Sequence, residues 1–163
     1  MDKILQNLSN LTRMHKSLLE LMTAKTEHLI HDNIDELDAI IKKEQKHIAA
    51  IEQLEQQRQR MVTDYLKANG FAHSAAPTVE ELLVAANEQE RNEITQFRAQ
   101  LLQTIEDIKI VNKQNQKLVY QSLQLVNMTL DLLQPTPPVN QTMNYSSKEV
   151  RQPPNMASKT YEV

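Results

Sequence analysis

Apolar residues recur near the amino terminus as Ile4, Leu8, Leu11, Leu18, Met22 and Leu29, with His15 and Lys25 at the two vacant steps of the same three-four alternation. This is a heptad-like seam over about four heptads and predicts a first helix over residues 2–31. The pattern restarts after His31-Asp32-Asn33. Asn33 followed three residues later by Glu36 has the form of a reciprocal cap, so a second helix is expected over 34–69. Its seam reads Ile34, Leu37, Ile41, Ile48, Ile51, Met61 and Tyr65, and it stops at Asn69-Gly70, where glycine takes the left-handed conformation that ends helices. A connection this short makes the pair an antiparallel hairpin.

Thr78 with Glu81 and Asn87 with Glu90 repeat the capping spacing, predicting a short helix over 79–86 and a long one over 88–134. Glu88, Glu90 and Glu93 favour the positive end of the last helix dipole. Five of the six prolines fall at 135, 137, 138, 153 and 154, so residues 135–163 are expected to form a flexible, disordered tail. The expected architecture is all-α: an elongated, coiled-coil-like antiparallel bundle of three long helices and one short one over 1–134.

Composition narrows the function by exclusion. Gly70 is the single glycine of 163 residues, so the glycine-rich loops that cradle phosphates and dinucleotides are absent. There is no cysteine, hence no thiolate nucleophile, disulfide or sulfur-ligated metal. A net charge of -3 gives no electrostatic footprint for nucleic acid or an anionic membrane. The amino terminus lacks a signal-peptide core and no run approaches a membrane span, so a cytoplasmic protein without stable membrane insertion is expected.

Few side chains suggest chemistry. Glu44-x-x-His47 has the spacing of one half of a carboxylate-bridged two-metal site, but the second pair such a site needs is missing. His28 and His31 share a face beside the turn with Asp32 and Asp35, an ordinary place for polar residues. Glu44 and Arg58 fall on the second helix's seam, fourteen residues apart, and can serve either a partner ion pair or the register of a neighbouring helix. His15 is expected opposite Ile48. No catalytic set can be assembled, and no metal or cofactor is expected.

Residues 115–134 carry the strongest signal. Leu118, Leu125 and Leu132 form one row, Val119, Val126 and Leu133 a second, and Leu123 with Leu130 a third, with Ser122 and Thr129 between the first two. Adjacent residues stand about 100° apart, so two ridges flank a shallow strip of small residues. Either this is a groove for a partner helix, or the two ridges face the first and second helices of a closed bundle. Length favours the groove: helices of about 30 and 47 residues run roughly 45 and 70 Å, so about residues 118–134 should pass the hairpin turn. Exposed there, each Leu or Val forgoes about 1.5–3 kcal/mol, which over six side chains rivals the roughly 5–15 kcal/mol of a whole domain. A partner should cover them. Asn112 and Asn115, on the same seam just before that point, are expected to fix where the helix leaves the bundle.

The leucine-seamed hairpin leading into Asn33-Ile34-Asp35-Glu36-Leu37, the later Glu44 and Arg58, and Asn112-x-x-Asn115-x-x-Leu118 with the apolar row after it resemble the FlgN family of flagellar export chaperones, as does a proline-containing tail with Tyr145. The resemblance covers about residues 1–150. It implies a cytosolic chaperone, with no nucleotide or metal requirement, that keeps hook-filament junction proteins unassembled and delivers them to the type III export gate. It further implies that a C-terminal helical segment of the client is bound by the C-terminal part of the chaperone. Here that part is Leu118, Val119, Ser122, Leu125, Val126, Thr129, Leu132 and Leu133. A tail tyrosine that contacts the gate would be Tyr145. A monomer or weak dimer is expected; the competing reading is a structural coiled-coil subunit whose apolar rows make a permanent homo-oligomer.

Overall fold

A computed structural model describes residues 1–71 and 77–133. Four helices follow in order: α1 (Asp2–Ile30), α2 (Ile34–Ala68), α3 (Val79–Ala85) and α4 (Glu88–Leu133), and no strand occurs among the described residues. The fold is the all-α bundle expected from the periodicity.

Backbone chemistry at the joints explains the topology. After α1, Asp32 adopts the left-handed conformation (φ 54°), and the Asn33 N–H donates to the His28 carbonyl at 3.1 Å. This six-to-one bond is the Schellman closure of a helix end, and Asp tolerates that conformation better than branched residues do. Asn33 stands at the start of α2, but its side chain makes no cap bond there; its amide lies 3.5 Å from His28 Nδ1 instead. The reciprocal Asn33–Glu36 cap is therefore corrected: the closure of α1 already fixes the turn. α2 ends with Gly70 at φ 70°, its N–H donating to Lys67 O at 3.2 Å and the next N–H, from Phe71, to Leu66 O at 3.0 Å. Thr78 Oγ1 accepts from the Glu81 N–H, while Asn87 and Glu90 bond reciprocally at 2.9 and 3.0 Å, so both later caps form.

α1 is the middle layer. α2 packs antiparallel along one side of it and α4 parallel along the other, while no Cα of α2 comes within 8 Å of one in α4. The three long helices thus form an open layer rather than a closed triangle. The best-buried core lies at the base, where Ile4 and Leu8 of α1 meet Val62 and Leu66 of α2, Leu82 and Ala86 at α3, and Ile94 of α4. α3 is held there by three polar clamps: Arg91 Nε to Leu83 O at 2.8 Å, Arg98 to Glu80 at 2.7 Å, and the Tyr65 hydroxyl to Ala85 O at 3.5 Å. Leu82 is 2% exposed and fills the space between α1, α2 and α4. Leu82→Ala should cost about 2–5 kcal/mol, from lost transfer energy and the cavity left behind, read as a lower midpoint in urea with helix content unchanged in water.

The seam of α1 is the one read from its leucines: Ile4, Leu8, Leu11, Leu18 and Met22 are buried. That of α2 is not. The buried side chains there are Ile40, Glu44, Val62 and Leu66, whereas Ile34, Ile41 and Ile48 are exposed. Because α2 packs along α1 and meets α4 only through side chains at the base, it needs one buried stripe, and polar residues share it: Asn7 donates to Leu54 O at 3.1 Å, Ser17 lies 3.0 Å from His47 Nε2, and Lys25 pairs with Glu44 at 2.7 Å. The isoleucine row is rotated out of this contact.

Candidate functional site: the far half of α4 and the cleft beside it

Two stripes run the length of α4, and their faces differ. The first faces α1: Ile94, Phe97, Leu101, Thr104, Ile108, Val111, Asn115 and Leu118 keep a strict three-four alternation, with Ile94, Thr104 and Asn115 buried. Continued in the same alternation, it becomes Ser122, Leu125, Thr129 and Leu132. The register is set by Asn115, whose Nδ2 donates to the Met22 carbonyl at 2.9 Å and whose Oδ1 accepts from the Thr26 hydroxyl at 2.7 Å. With Asn115 level with Met22 and Thr26 in a parallel pair, α1 ends at Ile30 just as α4 passes Leu118. From Val119 to Leu133 every residue is exposed.

Asn112 does not share the place of Asn115. It is exposed and faces the space between α2 and α4, because it belongs to the second stripe. This correction leaves the registering role to Asn115 alone. Asn115→Leu removes two hydrogen bonds without stranding a buried partner, since the Thr26 hydroxyl also lies 3.2 Å from Met22 O. The melting temperature should therefore hold or rise, while cysteine cross-links between α1 and α4 spread over more than one register, as loss of a polar seam residue allows. A lower melting temperature with unchanged cross-links would contradict this.

The second stripe, Leu102, Ile105, Lys109, Asn112, Gln116 and Val119, forms one wall of a cleft and continues past α1 as Leu123, Val126, Leu130 and Leu133. The opposite wall is α2, which presents Leu37, Ile41 and Ile51, and α1 supplies the floor. Two cavities mark its ends. One, of about 380 Å³, lies toward the base over Leu8, Leu11 and His15; the other, of about 520 Å³, lies toward the turn over Lys25 and Leu29. Ile48 is 48% exposed between Ile41 and Ile51. His15 lines the basal cavity with Ile51 and Glu55, and its Nδ1 bonds Leu11 O at 2.8 Å; the bonds Asn7–Leu54 and Ser17–His47 on either side put it level with Ile48 along the hairpin, as its spacing suggested.

The residues singled out from spacing are thereby divided. Leu118 is half-buried at the last contact with α1; Ser122, Leu125, Thr129 and Leu132 extend the α1-facing seam into solvent, and Leu125 and Leu132 are 66% and 85% exposed. Val119, Val126 and Leu133 extend the cleft-facing stripe, together with Leu123 and Leu130. The Thr129 hydroxyl is spent on the Leu125 carbonyl at 2.9 Å. Tyr145 lies outside the described residues, as does the rest of the tail. Spacing alone did not reveal the α2 wall, although Ile41 and Ile48 were visible; they were read as core.

The charged candidates serve packing. Glu44 and Lys25 are largely withdrawn from solvent and bonded to one another. Arg58 donates from Nε and Nη2 to Glu55 at 2.7 and 2.6 Å. Burial alone would raise the Glu55 pKa, but the hydrogen bonds and charge of Arg58 outweigh it and hold the carboxyl below its ordinary value; the same carboxylate raises Arg58. Among the described residues no group of three or more His, Asp or Glu gathers as a metal ion would require, and no helix is long and apolar enough to cross a membrane.

The family described as FlgN protein matches residues 1–151. A relative from Bacillus subtilis (strain 168), named there Uncharacterized protein YvyG, is 32% identical over 143 residues, which cover 88% of this chain and 84% of the relative. No solved structure matches the chain. With the family match running from Met1 through the whole of α4 and beyond it, the chain belongs to the FlgN family.

Proposed function

We propose that this chain is the export chaperone of hook-filament junction proteins, holding a C-terminal helical segment of its client on the far half of α4 and handing the client to the type III export gate. The coarser role rests on the family, whose members are chaperones of flagellar export. The observation that carries the finer reading is the uncovered continuation of α4: an apolar row of Leu123, Val126, Leu130 and Leu133 beside a row of Ser122, Leu125, Thr129 and Leu132, both keeping their alternation over the fifteen exposed residues from Val119 to Leu133. An amphipathic helix is the complement of such a surface, since it buries its own i, i+3, i+4 face against the stripes. Shielding the client's sticky helix keeps it unassembled. Tyr145, on the segment that follows α4, is the proposed gate contact.

Co-expression with a hook-filament junction protein, followed by size-exclusion chromatography with light scattering, tests the reading. The chaperone alone should run as a monomer or weak dimer and form a defined complex with the junction protein. A tight oligomer of the chaperone alone at low micromolar concentration, indifferent to the junction protein, would mean that copies of α4 cover one another in a structural coiled coil.

A further inference from the structure

Resting on that reading, we propose that the client helix does not stop at the overhang but lies in the α2–α4 cleft as the fourth helix of the bundle, and that the end of it seated near the base carries acidic side chains. Four-helix bundles arise when each helix offers a three-four stripe to a common centre. Here three helices offer stripes to a centre that no helix of the described chain fills. α1 provides the floor, α2 the row Ile41, Ile48 and Ile51, and α4 the row Leu102, Ile105, Asn112 and Val119. Ile41, Ile48 and Leu102 are 43%, 48% and 57% exposed, on two helices whose Cα atoms stay more than 8 Å apart.

Continuity and charge together identify the occupant. The cleft-facing stripe of α4 keeps one three-four spacing from Leu102 to Leu133, apolar toward both ends and polar at Lys109, Asn112 and Gln116, so a helix seated on Val126 and Leu130 meets the same spacing when it runs on between α2 and α4. The distance from Leu133 back to Leu102 is about 47 Å at 1.5 Å per residue, the length of a client helix of about 31 residues. In the cavity linings Lys25, Arg58 and Arg98 are paired with Glu44, Glu55 and Glu80, with His15 beside the basal pair, and the two guanidiniums keep donors that these pairs do not use. Arg58 leaves Nη1 without a hydrogen bond among the described residues, and Arg98 is half-exposed at the same end. Carboxylates of the incoming helix suit that end, where a guanidinium accepts a second partner in a fixed geometry.

The test separates the cleft from the overhang. Ile48→Glu with Leu102→Glu alters two exposed positions, so melting should stay near that of the parent. Affinity for a purified hook-filament junction protein should fall roughly ten-fold or more, as when central apolar contacts of an interface are lost. Arg98→Glu, which also removes the clamp to Glu80 and is therefore read beside a melt, should weaken binding further and flatten its salt dependence, whereas Glu80→Gln, which breaks the same clamp but leaves the guanidinium, should not weaken it. Because the chain has no cysteine, Ile48→Cys accepts a single photo-cross-linker. It should capture the C-terminal segment of the junction protein. If the cleft variants bind as the parent does while Leu125→Ser with Leu132→Ser abolishes binding, the fourth-helix seat is overturned and the chaperone reading stands. If neither set matters, both fall. Cross-links to a second copy, or to residues 134–163 of the same chain, with the junction protein present would also overturn the seat.

Discussion

Replacing Leu125 and Leu132 together by Ser abolishes binding of the junction protein and leaves the melting temperature within about 2 °C of the parent. The second half follows from exposure: at 66% and 85% exposed, these side chains contribute little burial to the isolated fold, and surface substitutions away from special features stay within about 0.5 kcal/mol. The first half follows from their place in the α1-facing seam. Upstream, this alternation is what joins α4 to α1; downstream, the same spacing has lost its partner. A client helix lying across both stripes past the end of α1 buries both leucines in the new contact, where each is worth about 1.5–3 kcal/mol. Two such losses amount to a change of roughly two to four decades in Kd. Isothermal titration with purified junction protein, paired with circular dichroism melts, reads both quantities. A variant that melts far lower would place these leucines in the core of the bundle, and the groove would be lost with them.

Much of this architecture was legible because helices punctuate themselves. Gly70, Thr78 and the Asn87–Glu90 pair mark ends by backbone chemistry that acts within five residues, and such signals survive without knowledge of the tertiary fold. The seam of α1 was legible for a related reason: a helix between two neighbours must be apolar on a broad face. α2 was misread because its most regular apolar row does not meet α1. In an open layer the outer helix can bury a mixed stripe containing Glu44 and point its isoleucines at the cleft, and a single sequence carries no mark of which stripe has a neighbour. The two stripes of α4 were likewise visible as rows, but which of them faces α1 depends on the rotation fixed by Asn115 and Ile94. Asn112 was assigned with Asn115 for the same reason: three residues apart is close enough to share a face, yet Asn115 falls on the α1-facing stripe and Asn112 on the cleft-facing one.

Lys25→Met destabilises the chaperone by about 3 kcal/mol or more, and adding Glu44→Leu restores most of that loss. Lys25 Nζ and Glu44 Oε2 are 2.7 Å apart, with side chains 16% and 11% exposed, at the level where Asn115 ties α4 to α1. Glu44 Oε1 has no hydrogen-bond partner, so the carboxylate depends on the lysine for its compensation. Removing the ammonium alone leaves a charge withdrawn from water, which is the expensive half of breaking a buried pair. Removing both replaces the pair by apolar groups of similar volume, which is often neutral or stabilising. Urea unfolding of the two single variants and the double variant gives the coupling directly. A small loss in Lys25→Met, with additivity in the double variant, would show that water reaches the pair. Strong coupling would instead make Lys25–Glu44 the joint holding α2 against α1 beside the mouth of the cleft. The double variant, stable but without the pair, should then bind the junction protein less selectively, because the turn end of α2 is held only by apolar contact beyond Ser17–His47 and the wall carrying Ile41 shifts with it.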